Sequence, residues 1–454
     1  MRFSPSGGLE SMSFIVHKFG GSCLKSESDL ARIAEIVNNS EERVVVVISA
    51  FNGVTNLLLG AIDECESSGD FVGEIRAIHR EISLSTAEVV ETEEFARLLT
   101  RLQSDLKLSQ SSHNNIRVEH RILAYGEKLA TLVVADYLRR SGATAESISA
   151  EEIGIAIIGE GRQRRIDLAA TSPGLLNIIQ KGVIPVITGW YGSNESGEIA
   201  VLERGGSDVT AAAIARILQA NNVVLWKDVE GALAVPPRLG LQGLRIPYLG
   251  YSEASELARL GSTILHPHCI EPVVTVGIPI ELRPLHGSGN GTVIGPDLHL
   301  EQPQVKAIAC AYPVRMVTIR SPIHRRASGF TLKVLEILEQ HDVEAWFLHA
   351  LPGSIELIID DDGFNRPLED LKRSDFYVEV GEVSAVISVI GSGFANWSDG
   401  FKQMMLEQEC WKEGLKFINS EGPSLHFLVD KNELDGIIEF LSHTFGLIES
   451  EIQN

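Results

Sequence analysis

"SFIVHKFGGSCLKSESDLARIAEIVNNSEERVVVVISA", residues 13–50, sets two short β-branched runs, "SFIVHKF" (13–19) and "RVVVVISA" (43–50), on either side of "ESDLARIAEIVNN" (27–39). Apolar residues recur at helical spacing in the middle segment, so the stretch reads as strand, helix, strand. That is a βαβ unit. Residues 56–108 and 116–142 read as mostly helical, and "GVIPVITGW" (182–190), "AAAIARILQA" (211–220) and "NVVLWKDV" (222–229) then repeat the alternation. Such a pattern predicts an α/β fold, a parallel sheet covered by helices on both faces.

Past "IPIELRPL" (278–285) the character changes. "GSGNGTVIG" (287–295) reads as a glycine-rich junction and "PDLHLEQPQ" (296–304) as a linker, which puts a domain boundary near residue 300. Beyond it, "VRMVTIRS" followed by "SGFTLKVLEILEQHDVEAWFLHALPGSIELIID", and "SAVISVIGSGFANWSDGFKQMMLEQ" followed by "GLKFINSEGPSLHFLVD", both read strand, helix, strand, strand. The two copies are offset by roughly 70 residues and predict two small α+β modules.

The 454 residues, 44% hydrophobic, suffice for two or three domains with sizeable cores. A formal charge of -22, from 39 basic and 61 acidic residues, repels nucleic-acid and anionic-membrane phosphates, so neither is an expected partner. Five isolated cysteines with no CxxC pair indicate neither a zinc site nor a disulfide framework and fit a reducing cytoplasm. No apolar run reaches membrane-spanning length. The leader "MRFSPSGGLESM" (1–12) lacks the hydrophobic stretch of a signal peptide and reads as a flexible tail, with Met12 as an alternative start.

Within the first βαβ unit, Lys18, Gly20 and Gly21 occupy the turn after the first strand. Backbone N–H groups at such a turn can cradle an anion, glycine lets a phosphate approach, and a lysine can neutralise a phosphoryl group in transfer. Taken alone, the loop is equally a turn that uses glycine for geometry, and the chain has no GxxxxGK[ST] P-loop. Five further stretches follow it in order: "SAFNGVTNLLL" (49–59), "LAYGEKLAT" (123–131), "VLERGGSDVTAAAIA" (201–215), "LWKDVEGALAVPPR" (225–238) and "YSEASELARLGSTILHPHCIEPVVTVGIPIEL" (251–282). With KFGG, this series closely resembles the aspartate kinases of the amino-acid kinase family. The resemblance spans nearly the whole chain, because that family carries paired C-terminal ACT modules where the repeat lies.

The resemblance implies a three-layer αβα kinase domain with a mostly parallel central sheet over residues 13–299. Two ferredoxin-like ACT modules would follow, at 300–380 and 381–454. It also implies transfer of the ATP γ-phosphoryl group, with Mg2+, to the β-carboxylate of L-aspartate. Lys18 would face the transferring phosphoryl group and the Gly20 and Gly21 amides would cradle it. Ser22 and Thr55 would hydrogen-bond near the reacting carboxylate, Glu127 would hold the substrate ammonium, and Arg204 would clamp a carboxylate, with Ser207 and Asp208 completing the cluster. Each residue also has a plainer reading: Arg204 with Asp208 as a surface ion pair, Glu127 as a solvated helix glutamate, Thr55 as a helix cap.

The nucleotide side departs from the family pattern. Where W-T-D-V-x-G-x-Y-x-x-D-P-R is expected, "WKDVEGALAVPPR" places Lys227, Leu233 and Pro236 at the Thr, Tyr and Asp positions. Thr263 stands where F-G-A-K-V-L-H-P has a lysine that contacts ATP phosphates, while Asp228, Gly231, Pro237, Arg238, His266 and Pro267 match. Three readings follow: nucleotide binding is lost, ATP binds in a changed geometry, or the cation has moved from position 263 to Lys227. The plainer reading has Lys227 pointing to solvent. Cys23, one turn from Lys18, is either a reactive thiol of lowered pKa or a buried inert one. In the repeat, "SPIHRRASGFTLKVLEIL" (321–338) fits an effector loop and helix, whereas "VEAWFLHALPGSIEL" (343–357) and "NSEGPS" (419–424) do not fit the usual effector contacts. Trp346 would crowd a small amino acid, so either no effector or one other than lysine is expected. His324, Arg325 and Arg326 suit an anionic effector or a solvated loop. Module pairing makes a homodimer the default. The alternatives to an aspartate kinase are a catalytically weakened regulatory homologue and a kinase acting on another small carboxylic amino acid.

Overall fold

A computed structural model of the chain describes residues 13–63, 70–111, 115–237, 240–260, 265–287, 289–300, 302–321, 327–363, 365–394 and 415–449. The 1–12 leader, Arg238, Thr263 and the His324–Arg326 cluster lie outside them. The chain divides into two compact units, one of Met1–Ala232, Arg245–Ser255 and Thr263–Asp297, the other of Leu233–Leu244, Glu256–Ser262 and Leu298–Asn454. Among the described residues no helix is long and apolar enough to cross a membrane.

In the first unit, chain order gives β1 (Phe14–Phe19), β2 (Arg43–Ile48), β3 (Ala145–Ile148), a hairpin of β4 (Ile157–Ile158) and β5 (Arg165–Ile166), and β6 (Ile184–Thr188). A second hairpin of β7 (Tyr191–Ser193) and β8 (Ile199–Val201) precedes β9 (Asn222–Lys227), β10 (Tyr248–Gly250), β11 (Ile280–Pro284) and β12 (Thr292–Gly295). Eight of these form one sheet in the order β10-β12-β11-β9-β1-β2-β6-β3, parallel throughout except between β11 and β12. β2 buries five of its six residues, as a central strand covered on both faces must. Helix Glu27–Asn38 packs with Ile116–Arg140, which lies against β2, β3 and β6, and Leu168–Ile179 packs with Gly206–Leu218, which lies against β1, β2 and β9. The first of these helices starts where the sequence supplies a capping box, Ser26 with Asp29, and buries Leu30, Ile33, Ala34 and Val37 at helical spacing.

One reading is corrected here. "GSGNGTVIG" is not only a junction: its last four residues are β12, a full member of the sheet. Gly291 makes the reversal from β11, since a Cβ there would stand 1.9 Å from the Leu282 carbonyl oxygen. Gly291 lets β12 return close beside β11, and that short strand is too brief to show a period. Strand order grows to opposite sides from β1, which makes its carboxyl end a topological switch point, the place where open α/β sheets bind ligands.

The second unit holds one six-stranded antiparallel sheet of β13 (Gln304–Arg320), β14 (Ala345–Leu351), β15 (Ser354–Asp360), β16 (Tyr377–Ser392), β17 (Leu415–Glu421) and β18 (Ser424–Asp430). Their order is β14-β15-β13-β16-β18-β17. The two repeats read from the sequence are interleaved in it. Residues Val314–Arg320 of β13 pair with β15 and with the first half of β16, while Gln304–Ala311 pair only with the second half of β16, beside β18. The ladder shifts between Ala311 and Val314, where Pro313 has no N–H to give. The strand that closes the second repeat therefore precedes the first repeat in the chain. Trp346 donates its ring N–H to Asp360 at 2.7 Å and packs with Met316 and Phe347 against Ala311, Val314, Ile358, Val386 and Leu428. It is part of the packed face of this sheet.

Candidate active site

Lys18 is the penultimate residue of β1, in register with Val47 of β2 and Leu225 of β9. Its ammonium is buried and lies 2.6 Å from Asp208 Oδ1. Asp208 stands in the first turn of helix Gly206–Leu218, where the helix dipole favours an anion, and its other oxygen accepts from Lys227 Nζ at 3.0 Å. A buried carboxylate thus holds one lysine on each oxygen. Burial would raise the Asp208 pKa, but the two ammonium groups outweigh it and keep the carboxyl well below its usual range. For Lys18 burial wins and its pKa falls despite Asp208, whereas for Lys227 burial is outweighed by Asp208 and the pKa rises. Two cations against one anion leave a net positive centre, suited to an incoming phosphoryl oxygen.

Lys227 is the residue the sequence left open. Its side chain is only 16% exposed and does not point to solvent. The reason is register: Leu225 lies beside Lys18 on the neighbouring parallel strand, so Leu225 and Lys227 share the face that Lys18 uses.

Glu127, on helix Ile116–Arg140, faces the same end of the sheet. It is 2% exposed, accepts from the Ala50 N–H at 3.1 Å through Oε1, and its Oε2 is buried with no partner. Burial pushes its pKa up to about 8, against the pull of the Ala50 N–H and Lys18. It is not a solvated helix glutamate. Gly126 makes the approach possible, because a Cβ there would meet Ala50 Cβ at 2.9 Å, and a Cβ at Gly21 would stand 3.0 Å from the Ala50 carbonyl oxygen. The turns after β1 and β2 and the long helix converge through these two glycines. Ser207 receives the Ser49 hydroxyl at 2.9 Å, packed under Gly189, where a Cβ would lie 2.7 Å from Ser207 Oγ.

The remaining expected residues spread around this centre. Gly20 bends the chain out of β1 into the one-turn helix Gly21–Cys23, and a Cβ on it would come within 3.1 Å of Lys18 Nζ. Thr55, in the first turn of helix Val54–Asp63, is half-buried. Arg204 is exposed on the turn before helix Gly206–Leu218 and has no ion pair among the described residues, so the surface pair with Asp208 is not formed. The Asp228 carboxylate receives Lys25 Nζ at 3.2 Å, and Lys25 and Ser22 beside it help to hold its pKa below the usual carboxylate value. Gly231 adopts φ +130° at a spot where a Cβ would lie 2.6 Å from Thr292 Oγ1. Cys23 is buried, and burial raises its thiol pKa to about 11, so the reactive-thiolate reading fails. Sequence reasoning missed Ser49 and Lys25. Both stand in quoted stretches, Ser49 just past β2 and Lys25 in "CLKS", but only strand adjacency shows what they meet.

Residues 13–283 match the profile of the amino acid kinase family. Aspartokinase 3, chloroplastic, of Arabidopsis thaliana is 30% identical over 390 residues, which are 83% of this chain and 69% of that protein. Lysine-sensitive aspartokinase 3 of Escherichia coli (strain K12) is 26% identical over 94% of this chain and 98% of its own length. Among solved structures, E. coli aspartokinase III in complex with lysine and aspartate (T-state) superposes with a TM-score of 0.77 at 26% identity, covering 96% of this chain and 100% of that one. The structure of E. coli aspartokinase III in complex with aspartate and ADP (R-state) has the same fold, with a TM-score of 0.81 at 24% identity and the same coverage. A profile match over more than half the chain, and a relative of this identity and coverage, place the chain in the amino acid kinase family, among the aspartokinases.

Proposed function

We propose that this chain transfers the γ-phosphoryl group of ATP to the β-carboxylate of L-aspartate, giving 4-phospho-L-aspartate, the first step of aspartate-derived amino-acid synthesis. The observation that carries it is the buried Asp208 bracketed by Lys18 and Lys227, beside a buried Glu127 oxygen without a partner. A β-carboxylate oxygen attacks the γ-phosphorus, the bond from phosphorus to the ADP oxygen breaks, and no proton has to move. Catalysis therefore rests on positioning and on charge.

Lys18 and Lys227 face the transferring group, and Gly20 and Gly21 keep side chains out of the space beside the Lys18 ammonium. The family's missing lysine at position 263 is made good by Lys227, a reading supported by its hold on Asp208. Glu127 Oε2 takes the substrate ammonium, the exposed Arg204 closes on its α-carboxylate, and Thr55, Ser22 and Ser207 supply hydroxyls around the acceptor. Asp228, Gly231, Arg238 and Thr263 form the nucleotide side. Mg2+ takes most of its oxygens from phosphates and water, so it needs no protein cage and is proposed to enter with ATP. The second unit is read as the ACT pair, taking a small-molecule effector and joining two copies. The outer strand β14, with Leu348 and Leu351 each 42% exposed, supports the homodimer, which light scattering on the full chain tests.

Turnover of Mg-ATP with L-aspartate, trapping the acyl phosphate as a hydroxamate, tests the activity. Lys18→Ala is expected to abolish the hydroxamate. Wild-type protein that binds ATP without making hydroxamate would direct the search to another acceptor.

A further inference from the structure

Along helix Gly206–Leu218, lined by its Gly206, Val209 and Arg216 and not by Ser207 or Asp208, lies a cavity of about 230 Å³ that the proposed reaction does not use. Its wall is in part apolar, from Ile166, Leu168, Leu202, Val209 and Pro272. Arg164, Arg165 and Arg216 line the rest, with Glu203 and Glu271. In a chain of net charge -22, three guanidinium groups around one small cavity run against the overall balance. The two carboxylates already have neighbours: Glu203 stands 3.9 Å from His266 and Glu271 3.8 Å from His268, both imidazoles also lining the cavity. Arg164 is committed in part to His120 and the Val201 carbonyl. Arg165 and Arg216 have no ion pair among the described residues, and His266 Nδ1 is buried without a partner. An apolar pocket with unspent, fork-shaped donors at its rim suits a ligand with an apolar body and a carboxylate or phosphate head.

We propose that this cavity is a second, regulatory site for a small amphipathic organic anion, separate from the ATP and aspartate subsites. Its lining includes Leu202, Glu203 and Gly206, which flank Arg204 on the turn that leads to Ser207 and Asp208. A ligand that fixes this turn changes how Arg204 meets substrate. That regulatory half rests on the aspartate reading above, whereas the binding half does not.

Phenylphosphonate, a ring bearing a dianionic head, is the probe. Titrated calorimetrically into the full chain saturated with Mg-ADP and L-aspartate, it is expected to bind at one site. Arg165→Ala and Arg216→Ala should each weaken it about tenfold, the worth of one charge-assisted contact. Lys181→Ala, at an exposed lysine paired with Glu146, should leave it unchanged. Unaltered thermal midpoints establish that the arginine variants are folded. Absence of binding at millimolar probe, displacement by Mg-ADP with aspartate, or indifference to both arginine variants overturns the site. Binding that leaves the aspartate KM unmoved in wild type overturns its regulatory half.

Discussion

Lys227 occupies a position where the aspartate kinase pattern has threonine, and the change alters the charge of the whole centre. A threonine hydroxyl could donate to Asp208 but could not offset its charge, whereas the ammonium at 3.0 Å does. Lys227→Thr is therefore expected to raise the KM for ATP about tenfold or more, with a smaller change in the KM for aspartate. Equal KM values for ATP in variant and wild type would end the proposal that this lysine replaces the one missing at 263. Glu127 gives a second test, in pH. An ammonium pairs with the carboxylate and not with the acid, so below about 8 the free site must release a proton before aspartate binds. The KM for aspartate should fall as pH rises toward about 8 and then level off. The same shift opposes folding: the native state holds the Glu127 proton more tightly than the unfolded chain, so stability drops as pH climbs from about 4.5 to about 8. Glu127→Gln should flatten both profiles, with a uniformly high KM. A pH-independent wild-type KM across that range would sink the assignment. The residue types of this site were legible from the order of motifs, but the direction of Lys227 was not, because it follows from β1 and β9 being neighbours, which no local pattern states.

At the scale of elements, the site exists because three segments approach closer than side chains normally allow. Gly126 lets helix Ile116–Arg140 approach the turn after β2, and Gly21 lets the turn after β1 reach it from the other direction. Gly126→Ala poses two opposed effects. Alanine favours a helix interior by about 1 kcal/mol over glycine. Against that, a Cβ at 2.9 Å from Ala50 Cβ and 3.4 Å from Leu58 Cδ1 must push the helix off the turn, and overpacking of this kind costs about 1–3 kcal/mol. The expected result is a lower thermal midpoint together with a raised KM for aspartate, since Glu127 Oε1 loses the Ala50 N–H. A higher midpoint with unchanged kinetics would mean that the turn yields freely. Elements with a strong period were legible: "RVVVVISA" and "ESDLARIAEIVNN" form β2 and the first helix as read. The run 56–108 was legible only as helical content, because a short 3-10 segment at Leu84–Glu91, irregular at Thr86, separates helices that composition alone merges. The four-residue β12 escaped altogether, since a strand that short is placed by its sheet neighbours and not by its own alternation.

Across the whole molecule, similarity between two halves of a repeat says that two units exist, not which strand completes which. The C-terminal repeat showed its six strands, while the helix read in its second copy, in "SGFANWSDGFKQMMLEQ", lies outside the described residues. What it could not show is that Gln304–Ala311, ahead of both copies, closes the second of them along β16. This sharing has an energetic consequence that can be measured. In β13 the residues Ala307, Ile308, Ala309, Cys310 and Ala311 are all buried, and they cover the ladder edge of β16 from Val386 to Ile390. A fragment of residues 381–454 keeps β17, β18 and the part of β16 that pairs with β18, but exposes that edge, with unpaired N–H and C=O groups beside buried Val386, Ile387 and Val389. It is expected to be unfolded or aggregated by circular dichroism and size-exclusion chromatography. A fragment of 298–454 retains β13 and should keep its sheet signal in the same measurements. The fragments differ by the first repeat as well as by Gln304–Ala311, but the first repeat cannot cover the same edge: its own half of β13 ends at Arg320, paired to Tyr377 on the far half of β16. A folded, monomeric 381–454 fragment would mean that the second repeat is complete without Gln304–Ala311, and that the strand is an accessory to this sheet rather than one of its parts.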